Sequence, residues 1–429
     1  MFYGCCSTVS TPSEAGQSPV RMIEGRNKAD AERSFCEAVL TPSFRTCRSE
    51  KRAMHVQGAA RGIVEDVSMD EVINGFLKGA RPQFAATESH RQGEPFPREN
   101  VFMAYLDNAT LSLHGAEHFL PWLLSLCKAL EAAFGFVTSK VVIDPPDNKG
   151  PPLVAETDLL ALPLLGEQRL ALLPPYSSLP VSAPRPKPLL EANFMPGDVL
   201  YVPAGLECRQ AAVGSKLPRV FVLLALQTSE LSLGMSLCRY LGDMLMDKKM
   251  VSAEADALFR SSLTRRTREE AKDSSSLLDT SVKQYARELM AKVTSADIRK
   301  HLQSRIQTMR DEQLERAQEV AAASPRPPAV LSSSILRLAR GVQCRCPVGG
   351  TSAYFSRGPD TMMLNVAVTA TGLLDRLSDQ QSHRVASLPC EDPVERVCVC
   401  NVLLLKGCVE LVGDVFAPSQ RPSRTLPTH

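Results

Sequence analysis

The segment "HGAEH" places His114, Glu117 and His118 in the H-x-x-E-H order that inverted zinc metallopeptidases use. On one α-helical face, imidazoles four residues apart can bind zinc while the glutamate activates a water. That chemistry needs a distant third ligand as well, so the spacing alone does not establish a zinc site; the other reading is an amphipathic helix start with surface histidines. Two cysteine pairs, Cys344/Cys346 and Cys398/Cys400, have C-x-C spacing, not the C-x-x-C of zinc modules. The second pair lies in a stretch that reads as helix, where residues two apart point to different sides. His55, His90, His301, His383 and His429 fall in polar or terminal contexts and suggest no triad. Cys208 has no histidine near it in sequence and reads as a buried, inert thiol.

The background against which these groups stand is a chain of 429 residues, 44% of them hydrophobic, enough for two or three cored domains. With 49 basic and 47 acidic residues the net charge is +2, so bulk electrostatics demand neither nucleic acid nor an anionic membrane. No run approaches the roughly 18 apolar residues of a membrane span, and no secretory signal pattern opens the chain. Thirteen cysteines, odd in number and scattered, are expected to be reduced thiols in an intracellular protein.

Residues 1–56 mix Ser, Thr, Gly, Arg and Glu without periodicity and are expected to form a disordered leader. Arg21, Arg26, Arg33, Arg45 and Arg48 are interleaved with acids, which weakens an organelle presequence and leaves that targeting open. From Met69, "MDEVINGFL" and "PWLLSLCKALEAAFG" read as helices, the second capped by Gly135. Between Val137 and Thr228 short apolar runs follow one another: "VTSKVVID", "DLLALPLLG", "QRLALLP", "DVLYVPAG" and "RVFVLLALQT". Strands this closely spaced predict an antiparallel sandwich or barrel, with the proline-rich insert "PPYSSLPVSAPRPKPLLEANFMPGD" as a surface loop.

Residues 229–324 turn helical and charged. One apolar stripe runs through Val282, Tyr285, Leu289, Met290 and Val293, another through Ile298, Leu302, Ile306 and Met309; both suit a core or a dimer seam. After the linker "SPRPPAV", residues 325–415 form an α/β unit, with 416–429 as a tail. Its order is helical "SSILRLA", strand-like "VQCRCPV" and "SAYFSR", apolar "TGLLDRLSD" and a last helix "PVERVCVCNVLLLKGCVELV". That order suits a winged-helix module. Counted after the linker, over residues 331–415, eight Lys/Arg against eight Asp/Glu lack a DNA reader's footprint and favour protein contact.

One turn carries more specific information. Pro196, Gly197, Asp198, Leu200, Tyr201, Pro203 and Gly205 spell the P-G-D-x-L-Y-x-P-x-G pattern found beside the last metal ligand in double-stranded β-helix iron(II) oxygenases. Those enzymes hold iron with two histidines and one carboxylate on one face. With "CKALEAAFG", "IDPPDNKG", "DLLALPLLGEQR" and "ANFMPGDVLYVPAGL" in the same order, and "SSILRLA" and "ERVCVCNVLLLKGCVEL" downstream, the chain resembles the ribosomal oxygenase family of JmjC/cupin-fold histidyl hydroxylases and lysine demethylases, over residues 69–413.

The resemblance implies a mainly β core (double-stranded β-helix) within 57–228, a helical dimerisation segment and a C-terminal winged helix. It also implies a ribosomal protein or histone as partner, a homodimer, and a place in the nucleus or nucleolus. Carried over residue by residue, however, the iron site is not reproduced. Counting back from Gly166 puts the first histidine and the aspartate on Leu153 and Ala155; counting forward from Gly150 puts them on Val154 and Glu156. The second histidine falls on Cys208, and the 2-oxoglutarate partners on Gln168, Lys140 and Val142, with Arg169 beside the first. Asp198, Tyr201 and Gly205 are expected to hold the turn. The expectation is a barrel without iron or 2-oxoglutarate, acting as a protein-binding scaffold without membrane or direct nucleic-acid contact. The alternative is an active Fe(II)/2-oxoglutarate hydroxylase or demethylase that takes Glu156 as its carboxylate.

Overall fold

The computed structural model describes residues 28–49, 51–91, 94–96, 100–146, 148, 153–174, 187–211, 217–226, 231–246, 283, 287, 290–291, 293–323, 330–346, 352–365 and 370–412. The chain divides into two compact units, one of residues 1–130, 137–226 and 317–429, the other of 131–136 and 227–316.

The first unit opens with α1 (Lys28–Val39), α2 (Pro42–Ser49), β1 (Met54–Val56), α3 (Arg61–Asp66) and α4 (Met69–Gly79). It continues with β2 (Thr87–Arg91), β3 (Glu94–Pro95), α5 (Val101–Leu106), β4 (Thr110–His114) and most of α6 (Pro121–Phe134). Eight strands follow: β5 (Val137–Asp144), β6 (Leu153–Val154), β7 (Asp158–Leu165), β8 (Gln168–Leu173), β9 (Leu190–Phe194), β10 (Val199–Val202), β11 (Glu207–Ala211) and β12 (Arg219–Leu226). One sheet has the order β1-β10-β7-β12-β5-β4-β2-β3 and the other β6-β11-β8-β9. From β5 to β12 the chain therefore passes between the two sheets in the order of a double-stranded β-helix, antiparallel throughout.

Central strands read as unbroken apolar runs because both of their faces are covered. In β7 and β12 nearly every residue is buried, which the sequence "LLALPLL" and "RVFVLLAL" permits. Pro163 cannot donate a ladder hydrogen bond, and the register of β7 against β12 shifts there, between Val220 and Phe221. On the sheet's outer face α4 lies close. A side-chain carbon at Gly75 would meet Leu120 at 2.9 Å, and one at Gly79 would collide with Leu113. Gly135, with φ of +86°, ends α6 as expected.

The leader expectation fails from residue 28 onward; residues 1–27 lie outside the described residues. Helices α1 and α2 bury Phe35, Val39 and Phe44 completely or nearly so. The Phe44 ring meets Tyr201 edge-on at 5.0 Å, Arg48 reaches Asp158 at 3.5 Å, and β1 pairs with β10. The segment adds an edge to the barrel sheet, a tertiary contact that local periodicity does not reveal. The proline-rich insert also needs correction, since its last part, Leu190–Phe194, is strand β9 paired with β8; residues 175–186 lie outside the described residues.

In the second unit lie α7 (Leu233–Met246) and most of α8 (Ser295–Ala322). Thr294 and Asp297 cap the start of α8 reciprocally, at 3.2 Å and 3.3 Å to each other's backbone nitrogens. Ile298, Leu302, Ile306 and Met309 form the half-buried stripe that was expected, while Met290 is exposed. Val282, Tyr285 and Leu289 lie outside the described residues.

Residues 330–412 hold two three-stranded sheets. One has the order β17-β13-β18, from β13 (Ile335–Leu338), β17 (His383–Arg384) and β18 (Val409–Leu411); the other has the order β14-β15-β16, from β14 (Gln343–Arg345), β15 (Ser352–Arg357) and β16 (Asp360–Asn365). With them are α9 (Thr371–Leu377) and α10 (Pro393–Leu405). "SSILRLA", expected as helix, is β13: Leu336 and Leu338 are buried and Arg337 between them is exposed. The last expected helix ends at Leu405, and after Gly407 its tail becomes β18.

This region is joined to the barrel helices through a buried polar contact. Asp392 caps α10, accepting from Val394 N at 2.7 Å and Glu395 N at 3.1 Å, and accepts the Tyr105 hydroxyl of α5 at 2.6 Å. Burial outweighs those donors and raises the Asp392 carboxyl to about 6. A carboxyl raised in the folded state stabilises the fold at low pH and loses that contribution as pH rises through about 6.

Two outcomes follow from this architecture. Urea denaturation is expected to show greater stability at pH 5 than at pH 7.5, with the difference shrinking in Asp392→Asn; an unchanged pH dependence in that variant would contradict the assignment. Phe44→Ala is expected to lose about 3 kcal/mol in the same assay. A loss below about 1 kcal/mol would mean that α2 is not part of the barrel's core.

Candidate functional site: the barrel interior and its turn

The P-G-D turn is built around Asp198. Its carboxylate accepts from Gly58 N at 2.9 Å and Met195 N at 3.1 Å, and contacts His55 Nε2 at 3.1 Å. The His55 ring lies on Phe194, 4.4 Å between centroids, and Ala60 N donates to Gly197 O at 2.7 Å. His55, expected in a polar context, is therefore part of the barrel; no spacing in the sequence links it to a residue 143 positions away. Tyr201 is buried, and that burial, followed by the nearby Asp158 carboxylate, pushes its phenol above the ordinary range. Gly205, at φ +90°, donates to Ala155 O at 2.7 Å, and Ala155 N donates to Leu206 O at 2.9 Å.

These two bonds decide the register left open by the sequence. Leu153 pairs with Cys208 and Val154 with Glu207 across β6 and β11. Ala155 and Cys208 are both buried in the barrel's apolar cluster, with Leu170, Leu172, Phe194 and Leu206. Val154 is 56% exposed, and Glu156 is exposed as well. Of the positions reached by counting back from Gly166, Ala155 is thus inward, while Glu156, which the other count would make the carboxylate, is exposed, where a charge is cheapest.

Cys208 is a thiol at neutral pH. Burial, then the neighbouring Glu207, pushes it up to about 12. Val142 is buried in the same cluster, and Lys140, two residues earlier on β5, is half-buried. Gln168 opens β8 opposite Phe194, and Arg169 is exposed, 3.4 Å from Glu191. Among the described residues no three His, Cys, Asp or Glu side chains are placed to share a metal ion. A two-histidine, one-carboxylate iron site does not fit an alanine and a buried neutral thiol, neither of which supplies an imidazole or a carboxylate.

The H-x-x-E-H motif is taken apart by the fold. His114 ends β4, Gly115 turns at φ +57°, and residues 116–118 form a single 3₁₀ turn instead of the expected α-helix start. Glu117 is buried and accepts from Ser139 N at 2.8 Å and Ser139 Oγ at 2.5 Å. His114 turns to Glu88 on β2, Nε2 to Oε2 2.9 Å, so the histidines do not share a helical face and the zinc-peptidase reading fails. Cys398 and Cys400 are buried in α10, and Cys344 is raised to about 12 by burial and then by Cys346.

A second polar group, absent from the sequence reading, lies beside the barrel. His90 Nε2 approaches the same Glu88 oxygen as His114, at 3.3 Å. Glu88 and His114 are 26 residues apart, and only the pairing of β2 with β4 brings them together.

No protein-family model matches the chain, and no curated protein does. Among solved structures it is similar to YcfD, a ribosomal oxygenase from Escherichia coli, in complex with cobalt and 2-oxoglutarate. That likeness has 13% identity and a TM-score of 0.44, covering 87% of this chain and 98% of that one. It is also similar to an RmlC-like cupin of double-stranded β-helix fold from Methanocaldococcus jannaschii, at 18% identity and a TM-score of 0.17 over 22% of this chain and 74% of that one. Likenesses this low carry no assignment; the class of the first unit, a double-stranded β-helix barrel, rests on its own strand order.

Asp198→Ala is expected to cost about 2–4 kcal/mol, because it leaves two backbone N–H groups without their acceptor. Chemical denaturation checks this, and a loss under about 1 kcal/mol would mean that the turn does not depend on the carboxylate.

Proposed function

We propose that this chain is a ribosomal-oxygenase-like barrel that has lost Fe(II)/2-oxoglutarate chemistry and serves as a protein-binding scaffold. The observation that carries the reading is the apolar interior at Ala155 and Cys208, held in register by the Gly205 and Leu206 backbone bonds. An iron site there would need imidazoles and a carboxylate inside an apolar cluster, where an unpaired polar group costs several kcal/mol. The order of turn and strands supports descent from a catalytic barrel, and the near-neutral charge favours a protein surface over nucleic acid. In this proposal the partner is a ribosomal protein or a histone, the helical segment makes a homodimer, the module after residue 325 works as a winged helix, and the protein acts in the nucleus or nucleolus.

The test compares the parent chain with the triple variant Leu153→His, Ala155→Asp, Cys208→His by anaerobic cobalt(II) titration, read by visible absorption. The parent is expected to give no saturable signal and the variant to gain one. Saturable binding by the parent at one cobalt per chain would overturn the proposal. If the variant does not fold, the parent's titration decides alone.

A further inference from the structure

Beside the barrel, the face of the large sheet opposite α4 carries a group of proton-transferring side chains. Lys140 on β5 pairs directly with His114 on β4, and on its other side with Leu223 on β12. Directly paired residues in an antiparallel ladder have Cβ atoms about 5 Å apart on one face. On that face His114 meets the Glu88 carboxylate at 2.9 Å, and His90 reaches the same oxygen at 3.3 Å. Lys140 itself lies between the buried apolar cluster, through Val142 and Leu223, and this polar group, through His114. It is half-buried, so the amine is partly desolvated yet reachable.

We propose that Lys140 is a nucleophilic amine that forms an imine with small aldehydes and 2-oxo acids, with His114 passing the proton and Glu88 orienting His114. The proposal needs no metal and does not rest on the scaffold reading. Burial, opposed by Glu88, holds the Lys140 amine below its ordinary range. Burial and then the Lys140 charge hold His114 low, against the pull of Glu88, so the imidazole is available as a base. Burial would raise Glu88, but His114 and then His90 outweigh it and hold that carboxyl below its usual range.

The step balances without an oxidant. The neutral Nζ attacks the carbonyl carbon, forming the C–N bond as the C–O double bond opens. His114 takes a proton from nitrogen and delivers one to oxygen. The remaining N–H proton, passed by way of His114, then lets the hydroxyl leave as water as the nitrogen lone pair closes the C=N bond. Lysines that are partly desolvated against apolar side chains act as amine nucleophiles in this way.

The test uses the full chain, glyoxylate as probe and sodium cyanoborohydride at pH 7 to reduce any imine, followed by peptide mass mapping. Lys140 is expected to gain the carboxymethyl group several-fold faster than the average of the other lysines, because a partly desolvated amine is more often neutral at pH 7. Lys140→Arg should remove that label alone. Glu88→Gln and His114→Asn should each slow labelling at Lys140 several-fold and leave the other lysines unchanged. Even labelling across the lysines, or an unmodified Lys140, would overturn the proposal. So would a rate at Lys140 indifferent to both Glu88 and His114. Mapping the parent chain needs no variant, so a folding failure in any substitution leaves the test intact.

Discussion

The backbone bonds from Gly205 N to Ala155 O and from Ala155 N to Leu206 O fix Ala155, the residue after the short strand β6, as an inward position. Side chains alternate along a strand, so a slip of one residue would exchange Ala155 for Val154 or Glu156 inside the barrel. With the register fixed, Leu153 stands opposite Cys208, Ala155 lies in the apolar cluster and Glu156 is exposed. Every statement about metal or cosubstrate at this barrel depends on that alternation.

A second constraint holds the same end of the barrel together. Asp198 ties the turn before β10 to the Gly58 turn and to His55, while Asp158 accepts from Ala204 N at 3.0 Å and meets Arg48. Both carboxylates thus join the N-terminal segment to the core strands. Such charge-assisted contacts are worth more than neutral ones when partly buried, which helps explain how residues with little periodicity of their own become ordered.

Much of the fold was legible in the sequence because β7 and β12, covered on both faces, must be almost wholly apolar, and because α4 and α6 carry clear start and stop signals. "SSILRLA" was misread because a run of four residues satisfies the helical and the strand period alike, and only pairing with β17 and β18 decides it. The leader was misread because its order comes from docking on Tyr201 and β10. At the candidate site the missing imidazoles were plain, whereas the inward register was not, since it is set by hydrogen bonds across 50 residues of sequence. The Glu88, His90 and His114 group had no sequence signal, as strand pairing alone assembles it.

The barrel thus has the strand order of a double-stranded β-helix, while its interior cluster is made of apolar side chains and a neutral thiol. The central proposal is that this interior does not hold iron with 2-oxoglutarate. It is tested most directly by elemental analysis of anaerobically purified, iron-loaded protein, followed by calorimetry with 2-oxoglutarate. The account predicts substoichiometric iron and no heat of binding. One iron per chain with saturable 2-oxoglutarate binding would contradict it.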